Sequence, residues 1–257
     1  MGSTMATTQS HAWTSDEMMT VAAARELTDG SVCFVGIGLP STAANLARAA
    51  HAPGVVLIYE SGCIGAKPAR LPPSIGDGIL SETADAVVGV PEIFAYWLQG
   101  GRVDVGFLGA AQVDRYGNIN TTVVGEYAQP KVRLPGAGGA PEIATSCSKV
   151  IITLRHSSRA MVEKLDFITS VGHGDGHDYR QRMGLPGTGP QAIITDLGVL
   201  RCDPESSEFI LVSVHPGVDV AEVAAATGWT LRQAPRVEVT QAPTDEELSA
   251  LRRFVEG

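Results

Sequence analysis

Short apolar runs alternate with helical patterns along the first part of the chain. Thr14 and Glu17 have the spacing of a capping box, which predicts that a helix begins there. The predicted segments are helices 14–27 and 40–50 and buried strands 31–35 and 55–59. This alternation predicts an α/β fold with an open, mostly parallel central sheet and helices on both faces.

The later part of the chain has more strand patterns. Strands are predicted at 103–108, 119–124, 150–154, 167–171, 192–196 and 209–214, and helices at 91–99, from about 141, at 218–227 and at 245–255. Two segments rich in Gly and Pro, 60–78 and 135–141, interrupt the regular pattern. A loop as long as 60–78 inside a compact domain is usually functional or disordered.

Composition indicates an ordinary folded protein. With 44% apolar and 18% charged residues, the chain can bury a core and does not have a disordered composition. We interpret 14–257 as a single domain and 1–13 as a disordered tail, of which residues 1–4 resemble a cloning remnant.

Charge and cysteine content exclude several classes of function. The net charge is −9 and no Lys/Arg cluster is present, which argues against a nucleic-acid-binding protein. No apolar run approaches the roughly 18 residues of a membrane span. Four cysteines without a C-x-x-C pair favour a reducing cytoplasm over a disulfide framework.

Glu60 directly follows a predicted buried strand and precedes a glycine turn. Ligands of open α/β sheets bind at the carboxyl ends of strands, so this carboxylate has a plausible catalytic position. By position alone, a solvated or Arg-paired surface Glu is the commoner alternative. The glycine loop 136–139 can direct backbone N–H groups at an oxyanion, although a simple tight turn is equally compatible. Gly36 and Gly38 begin a dinucleotide fingerprint, but Ser41 replaces its third glycine.

Two other patterns are weak candidates for chemistry. His173 and His177 have the i, i+4 spacing of helical metal ligands, but two intervening glycines disfavour a helix and no third ligand is near. No metal site is therefore expected. Cys63 has no base or cation nearby in sequence that would lower the pKa of a thiol nucleophile.

Together, the Glu60-Ser61-Gly62 segment, the run 102–118 and the 136–139 loop resemble the class I CoA-transferases, specifically their B (beta) subunit. The resemblance extends over about 17–251. Segments 34–40 and 168–174 are similar to the subgroup that acts on 3-oxoadipate in catechol degradation, with the glutaconate subgroup as neighbour. Steroid ring-cleaving hydrolases resemble this family but lack the Glu, so its presence favours transfer.

The resemblance implies the family fold and a mechanism in which Glu60 carries CoA as a glutamyl thioester, from succinyl-CoA to a dicarboxylate such as 3-oxoadipate. Implied candidates for oxyanion or CoA contacts are Gly138, Gly139, Ala140, Gly36, Gly38 and Ser61. Candidates for binding the substrate carboxylate are Lys67, Arg70 and Arg133, besides cations of the family's A subunit. CoA is then a substrate, no cofactor is permanently bound, and an A2B2 heterotetramer formed with the A subunit is expected. Transfer to glutaconate or another short-chain acid, and CoA-ester hydrolysis, are the alternatives.

Overall fold

The computed structural model describes residues 12–256. The predicted tail therefore lies outside the described residues, except for positions 12 and 13, and Trp13 packs against the core. The helices are α1 (Ser15–Ala24), α2 (Leu39–Ala50), α3 (Gly78–Glu82), α4 (Val90–Glu92), α5 (Ala140–Ser146), α6 (Tyr179–Arg182), α7 (Val220–Ala225) and α8 (Asp245–Glu256), with a π-helix at Ile93–Leu98.

Ten of the strands between residues 12 and 256 form one sheet, in the order β14-β13-β12-β11-β10-β5-β1-β2-β3-β4. The strands are β1 (Val32–Phe34), β2 (Val56–Ile58), β3 (Cys63–Ile64), β4 (Ala86–Val87), β5 (Val105–Gly109), β6 (Gln112–Val113), β7 (Ile119–Asn120), β8 (Val123–Gly125), β9 (Pro130–Arg133), β10 (Lys149–Thr153), β11 (Pro190–Ile194), β12 (Gly198–Cys202), β13 (Phe209–Val214) and β14 (Gln233–Val239). The five central strands, β11, β10, β5, β1 and β2, are parallel. Antiparallel pairs flank them on both sides, so the prediction of a mostly parallel sheet is confirmed.

Alternate residues of the central strands face two separate helical layers. Cys33 and Leu57 pack with α1, α2 and α8, whereas their neighbours Phe34 and Ile58 pack with the π-helix, α5 and α7. This period of two is the reason that such short strands can be apolar throughout and still have both faces buried. Helices on both faces are therefore confirmed as well.

Helix α5 lies unusually close to β5. A β-carbon on Gly106 would lie 2.5 Å from Ile143 Cγ2 and 2.8 Å from Cys147 Sγ, so only glycine allows this approach. The contact fixes α5, and with it the glycine loop that precedes α5, against the centre of the sheet.

The local signals for helix starts are reliable in this chain. Thr14 and Glu17 form both hydrogen bonds of the capping box of α1, and Thr244 with Glu247 does the same before α8. Helix α1 ends at Ala24, three residues before its predicted end.

Several strand predictions are wrong. Residues 119–124 form two strands, because the Asn120 side chain accepts hydrogen bonds from the N–H groups of Thr122 and Val123 and turns the chain. Residues 167–171 form no strand, and only Ser170 makes an isolated bridge, to Ile119. In the large sheet, β3, β4, β12 and β14 lie outside the predicted strands; β14 is a largely exposed edge strand without apolar alternation.

Candidate active site

Glu60 lies on a tight turn at the carboxyl end of β2. Gly62 N donates to Tyr59 O at 3.0 Å, and Tyr59 N donates to Cys63 O at 3.0 Å, which closes the turn between β2 and β3. Gly62 has φ +104°, and a β-carbon there would lie 2.0 Å from Val88 O. The turn therefore requires glycine at position 62 and holds Glu60 in one place.

The side chain of Tyr59 holds this turn in place by packing in the core beside α2. Its side chain is fully buried, and its hydroxyl lies 3.3 Å from Ser41 Oγ of α2. Burial raises the pKa of Tyr59, so the phenol is neutral at physiological pH. The residue before Glu60 is thus fixed by packing as well as by backbone hydrogen bonds.

A cleft of about 460 Å³ opens at the carboxyl ends of β5, β1 and β2, which are neighbours in the sheet. Its lining comes from the ends of these strands, from α2 and from the glycine loop before α5. The lining residues are Phe34, Val35, Gly36, Ile37, Pro40, Glu60, Ile75, Phe107, Leu108, Gly109, Ala110, Ala111, Thr121, Pro135, Gly136, Ala137, Gly139, Ala140 and Ile143. Glu60 is the only ionisable side chain of this described lining.

The carboxylate of Glu60 is partly buried and unpaired. It makes no hydrogen bond or ion pair with any residue between 12 and 256. Its Oε2 atom lies 3.4 Å from the position that a β-carbon on Gly139 would take. An unpaired carboxylate in an apolar cleft keeps its lone pairs available for attack on an electrophile.

The glycine loop is fixed by Thr121. Gly136 N donates to Thr121 O at 2.8 Å, and Thr121 Oγ1 donates to Gly136 O at 2.7 Å. The N–H groups of Gly138 and Gly139 donate no hydrogen bond to any described residue. Two unused backbone donors therefore lie in the loop that borders Glu60, as an oxyanion site requires.

The structure brings together some of the predicted contact residues. Glu60, Gly36, Gly139 and Ala140 line one cleft. Gly138, Gly38 and Ser61 are not part of this lining: Gly38 is the N-cap of α2, and Ser61 Oγ donates to Cys63 Sγ at 3.7 Å.

The three predicted cations lie away from the cleft lining. Lys67 pairs with Asp85, and Arg70 pairs with Asp77 through two contacts of 3.0 and 3.1 Å. Arg133 donates to a backbone oxygen, Tyr127 O, and its guanidinium lies 4.8 Å from the Tyr127 ring centre. In the part of the chain that the structure describes, the cleft lining contains no Lys or Arg.

The histidines singled out by spacing have structural partners. His173 Nε2 lies 2.7 Å from Pro190 O, and His177 Nδ1 lies 3.3 Å from Glu205 O. Within residues 12–256, no group of three His, Cys, Asp or Glu side chains is arranged to hold a metal ion. No helix in the same range is long and apolar enough to cross a membrane.

Sequence reasoning missed two residues at the site. Thr121 falls within the predicted strand 119–124, and its role in fixing the glycine loop depends on a contact with Gly136, 15 residues away. Phe94 lies on the π-helix, and its ring touches Gly139. Neither position carries a local signal, because both roles arise from packing between distant segments.

Comparison with known proteins agrees with this geometry. A family model described as coenzyme A transferase matches residues 16–226. The chain is 66% identical to the B subunit of 3-oxoadipate CoA-transferase of Pseudomonas knackmussii, over 94% of this chain and 93% of that protein. It is 36% identical to the B subunit of glutaconate CoA-transferase of Acidaminococcus fermentans, over 95% and 93%. The crystal structure of glutaconate CoA-transferase from A. fermentans matches with a TM-score of 0.89 at 33% identity, over 95% of both chains.

Proposed function

The chain belongs to the coenzyme A transferase family, and we propose that it is the B subunit of an enzyme that transfers CoA from succinyl-CoA to 3-oxoadipate through Glu60. The similarity to the 3-oxoadipate enzyme supports this acceptor. The more distant glutaconate CoA-transferase makes glutaconate the second acceptor to test. The observation that carries the mechanism is the unpaired, partly buried Glu60 carboxylate beside the glycine loop.

The reaction begins when a Glu60 carboxylate oxygen attacks the thioester carbonyl of the donor. A C–O bond forms, the C–S bond breaks, and a mixed anhydride and the CoA thiolate result. The thiolate attacks the Glu60 carbonyl of the anhydride, which releases the donor acid and leaves a glutamyl-CoA thioester. The acceptor carboxylate then repeats these steps in reverse order and leaves with CoA. Each covalent intermediate divides a difficult exchange into easier steps.

The cleft assists this chemistry in two ways. Its apolar walls exclude water, so the Glu60 carboxylate is a better nucleophile than in solution. The tetrahedral intermediates carry an oxyanion, for which the free N–H groups of Gly138 and Gly139 are the proposed donors. CoA is the transferred group, so the reaction needs no permanently bound cofactor.

A partner subunit of the A type completes the enzyme. The related proteins are named as B subunits, and we infer a heteromeric A2B2 assembly for this chain. Both substrates are carboxylates, yet the described lining of the cleft has no Lys or Arg to bind them. A cation from the partner subunit therefore fits the site better than Lys67, Arg70 or Arg133. The free cysteines of the chain are consistent with a cytoplasmic enzyme.

A trapping experiment tests the role of Glu60. The assembled enzyme is incubated with succinyl-CoA and then with borohydride or hydroxylamine, and the modified residue is located by mass spectrometry. We expect modification of Glu60 alone and loss of transfer in Glu60→Ala. The matched control is Glu82→Ala, which removes an exposed carboxylate outside the cleft and should leave transfer unchanged.

Two outcomes contradict the proposal. Near-normal transfer by Glu60→Ala would exclude the glutamyl thioester. Release of free acid without any acceptor, at the rate of transfer, would show a CoA-ester hydrolase instead. A screen of 3-oxoadipate, glutaconate, acetoacetate and acetate as acceptors then identifies the substrate by its kcat/KM.

A further inference from the structure

The segment next to the glycine loop is wound as a π-helix. Gln99 N donates to Phe94 O at 2.9 Å, and Arg102 N donates to Trp97 O at 2.9 Å, which are both i→i+5 hydrogen bonds. Such turns are rare and frequently occur at functional sites, where they change the direction of side chains. This one directly precedes β5, whose carboxyl end forms part of the cleft.

The π-winding lets two side chains reach the same neighbour. On an ordinary α-helix, residues five apart point in directions about 140° apart, so Phe94 and Gln99 would face different surroundings. The wider turn of the π-helix brings the side chains of Phe94 and Gln99 to the same side of the helix. Gln99 Nε2 donates to Glu142 Oε1 at 2.8 Å in the first turn of α5, and the Phe94 ring touches Gly139, the N-cap of α5.

The Phe94 ring is packed between β1 and the glycine loop. Its centre lies 6.3 Å from that of Phe34, which is buried in β1. On its other side, a β-carbon on Gly139 would lie 2.8 Å from Phe94 Cζ and 3.0 Å from Cε1. The same point is 3.4 Å from Glu60 Oε2, so Phe94 and the nucleophile both border Gly139.

We propose that Phe94 is a positioning residue: its ring, set by the π-helix, fixes how close the glycine loop lies to Glu60. This inference rests on the proposed function, because the distance matters only if the loop amides stabilise an oxyanion formed at Glu60. The ring does not touch the reacting atoms. It acts through Gly139, and displacement of about 1 Å in such a site can cost 100-fold in rate.

A double-mutant cycle tests this coupling. Gly139 has φ −83°, a conformation open to alanine, and Gly139→Ala keeps the backbone N–H. Its only added group is the β-carbon, which would lie 2.8 Å from Phe94 Cζ and at the ordinary contact distance of 3.4 Å from Glu60 Oε2. We expect Gly139→Ala to lower kcat about 10- to 100-fold with little change in KM, and Phe94→Leu to lower it about 10-fold. The combination should recover several-fold activity relative to Gly139→Ala, because leucine leaves space for the methyl group.

A second variant distinguishes an effect of the ring on the position of the glycine loop from an effect on folding. Phe94→Tyr keeps the ring and adds an oxygen at Cζ, the atom nearest Gly139, so it should lower kcat while thermal unfolding changes little. The matched control is Tyr96→Leu, an aromatic replacement on the same π-helix at a side chain that is 63% exposed; kcat should stay unchanged. All variants are assayed as complexes with the partner subunit, once size-exclusion chromatography has shown that they assemble.

Two results would overturn the inference. Wild-type kcat in both Phe94→Leu and Phe94→Tyr would show that the Phe94 ring does not determine the position of the glycine loop relative to Glu60. Strict additivity of Gly139→Ala and Phe94→Leu would show that the two residues are not coupled. Loss of activity in Glu60→Ala together with either result leaves the proposed function standing and removes only the role of Phe94. Activity retained by Glu60→Ala removes the proposed function instead.

Discussion

The turn that carries Glu60 depends on the absence of a side chain at Gly62. A β-carbon there would lie 2.0 Å from Val88 O, and the backbone N–H of Val88 also donates to Gly62 O at 3.0 Å. In Gly62→Ala, the turn and the segment before α4 must therefore separate, and the hydrogen bond between them is strained or lost. The perturbation reaches Glu60 directly, because Glu60 lies within the same four-residue turn.

Gly62→Ala should reduce both the stability of the fold and the kcat of the enzyme. Alanine in the left-handed region costs about 1–2 kcal/mol of stability whatever the space around it. Non-bonded atoms make contact at about 3.5 Å, so the new methyl group forces a displacement of about 1 Å or more. A shift of that size at the proposed nucleophile, Glu60, should lower the rate about 100-fold, so kcat should fall by about that factor.

Gly30→Ala is the matched control. Gly30 also has positive φ, +76°, but a β-carbon there meets no described atom within 4 Å, and the residue is not part of the cleft lining. Urea unfolding should show a similar backbone cost for both variants, with an extra loss in Gly62→Ala. Steady-state kinetics of the complex with the partner subunit should show a loss of kcat in Gly62→Ala alone. Equal stability and full activity of both variants would refute the reasoning.

Three further predictions concern charge and burial. Burial lowers the pKa of His156 to about 4, so on acidification the histidine is protonated in the unfolded chain before it is protonated in the folded chain. The free energy of unfolding should therefore fall by up to about 3 kcal/mol as the pH drops from 6.5 to 4, and His156→Gln should weaken that pH dependence in urea unfolding. The buried guanidinium of Arg180 donates to four backbone carbonyls, so Arg180→Ala should cost about 3 kcal/mol or more in urea unfolding. Arg182→Ala removes only a solvent-screened ion pair on the same helix, so its unfolding midpoint should stay close to that of the wild type. Lys67→Ala and Arg70→Ala remove exposed ion pairs outside the cleft lining, so the KM for the acceptor should change less than about 3-fold in kinetic assays.

The fold was predictable where the signal is local or periodic. The capping boxes at Thr14 and Thr244 involve residues three apart, so they can be read directly and they form as expected. The central strands are apolar because both of their faces are covered, and short apolar runs between helices indicate parallel pairing. Edge strand β14 carries no such pattern, because most of its residues face solvent.

The candidate site was predictable only in part. The position of Glu60 after a strand places it at the carboxyl edge of the sheet, next to the loop after β1 that contains Gly36. The contact of Gly139 with Phe94 joins segments 45 residues apart through an irregular turn, and no local pattern predicts π-winding. The pairing of Lys67 with Asp85 is likewise a tertiary contact that the local sequence does not predict.

The order of the strands explains why the cleft forms where it does. From β1 the chain goes to β2 on one side of the sheet and later returns to β5 on the other, so the connections after β1 and β5 diverge. A crevice at such a divergence is the usual ligand site of open α/β sheets. Here β2 ends in the tight turn of Glu60 instead of leading directly into a helix, so a carboxylate borders the crevice. Helix α5 packs tightly on β5 at Gly106 and directs its glycine loop back over the same crevice. The proposed nucleophile, Glu60, and the proposed backbone donors of the glycine loop thus come from opposite sides of the divergence. Gly62→Ala should move Glu60 and Phe94→Leu should move the glycine loop, so both variants should change the distance between them.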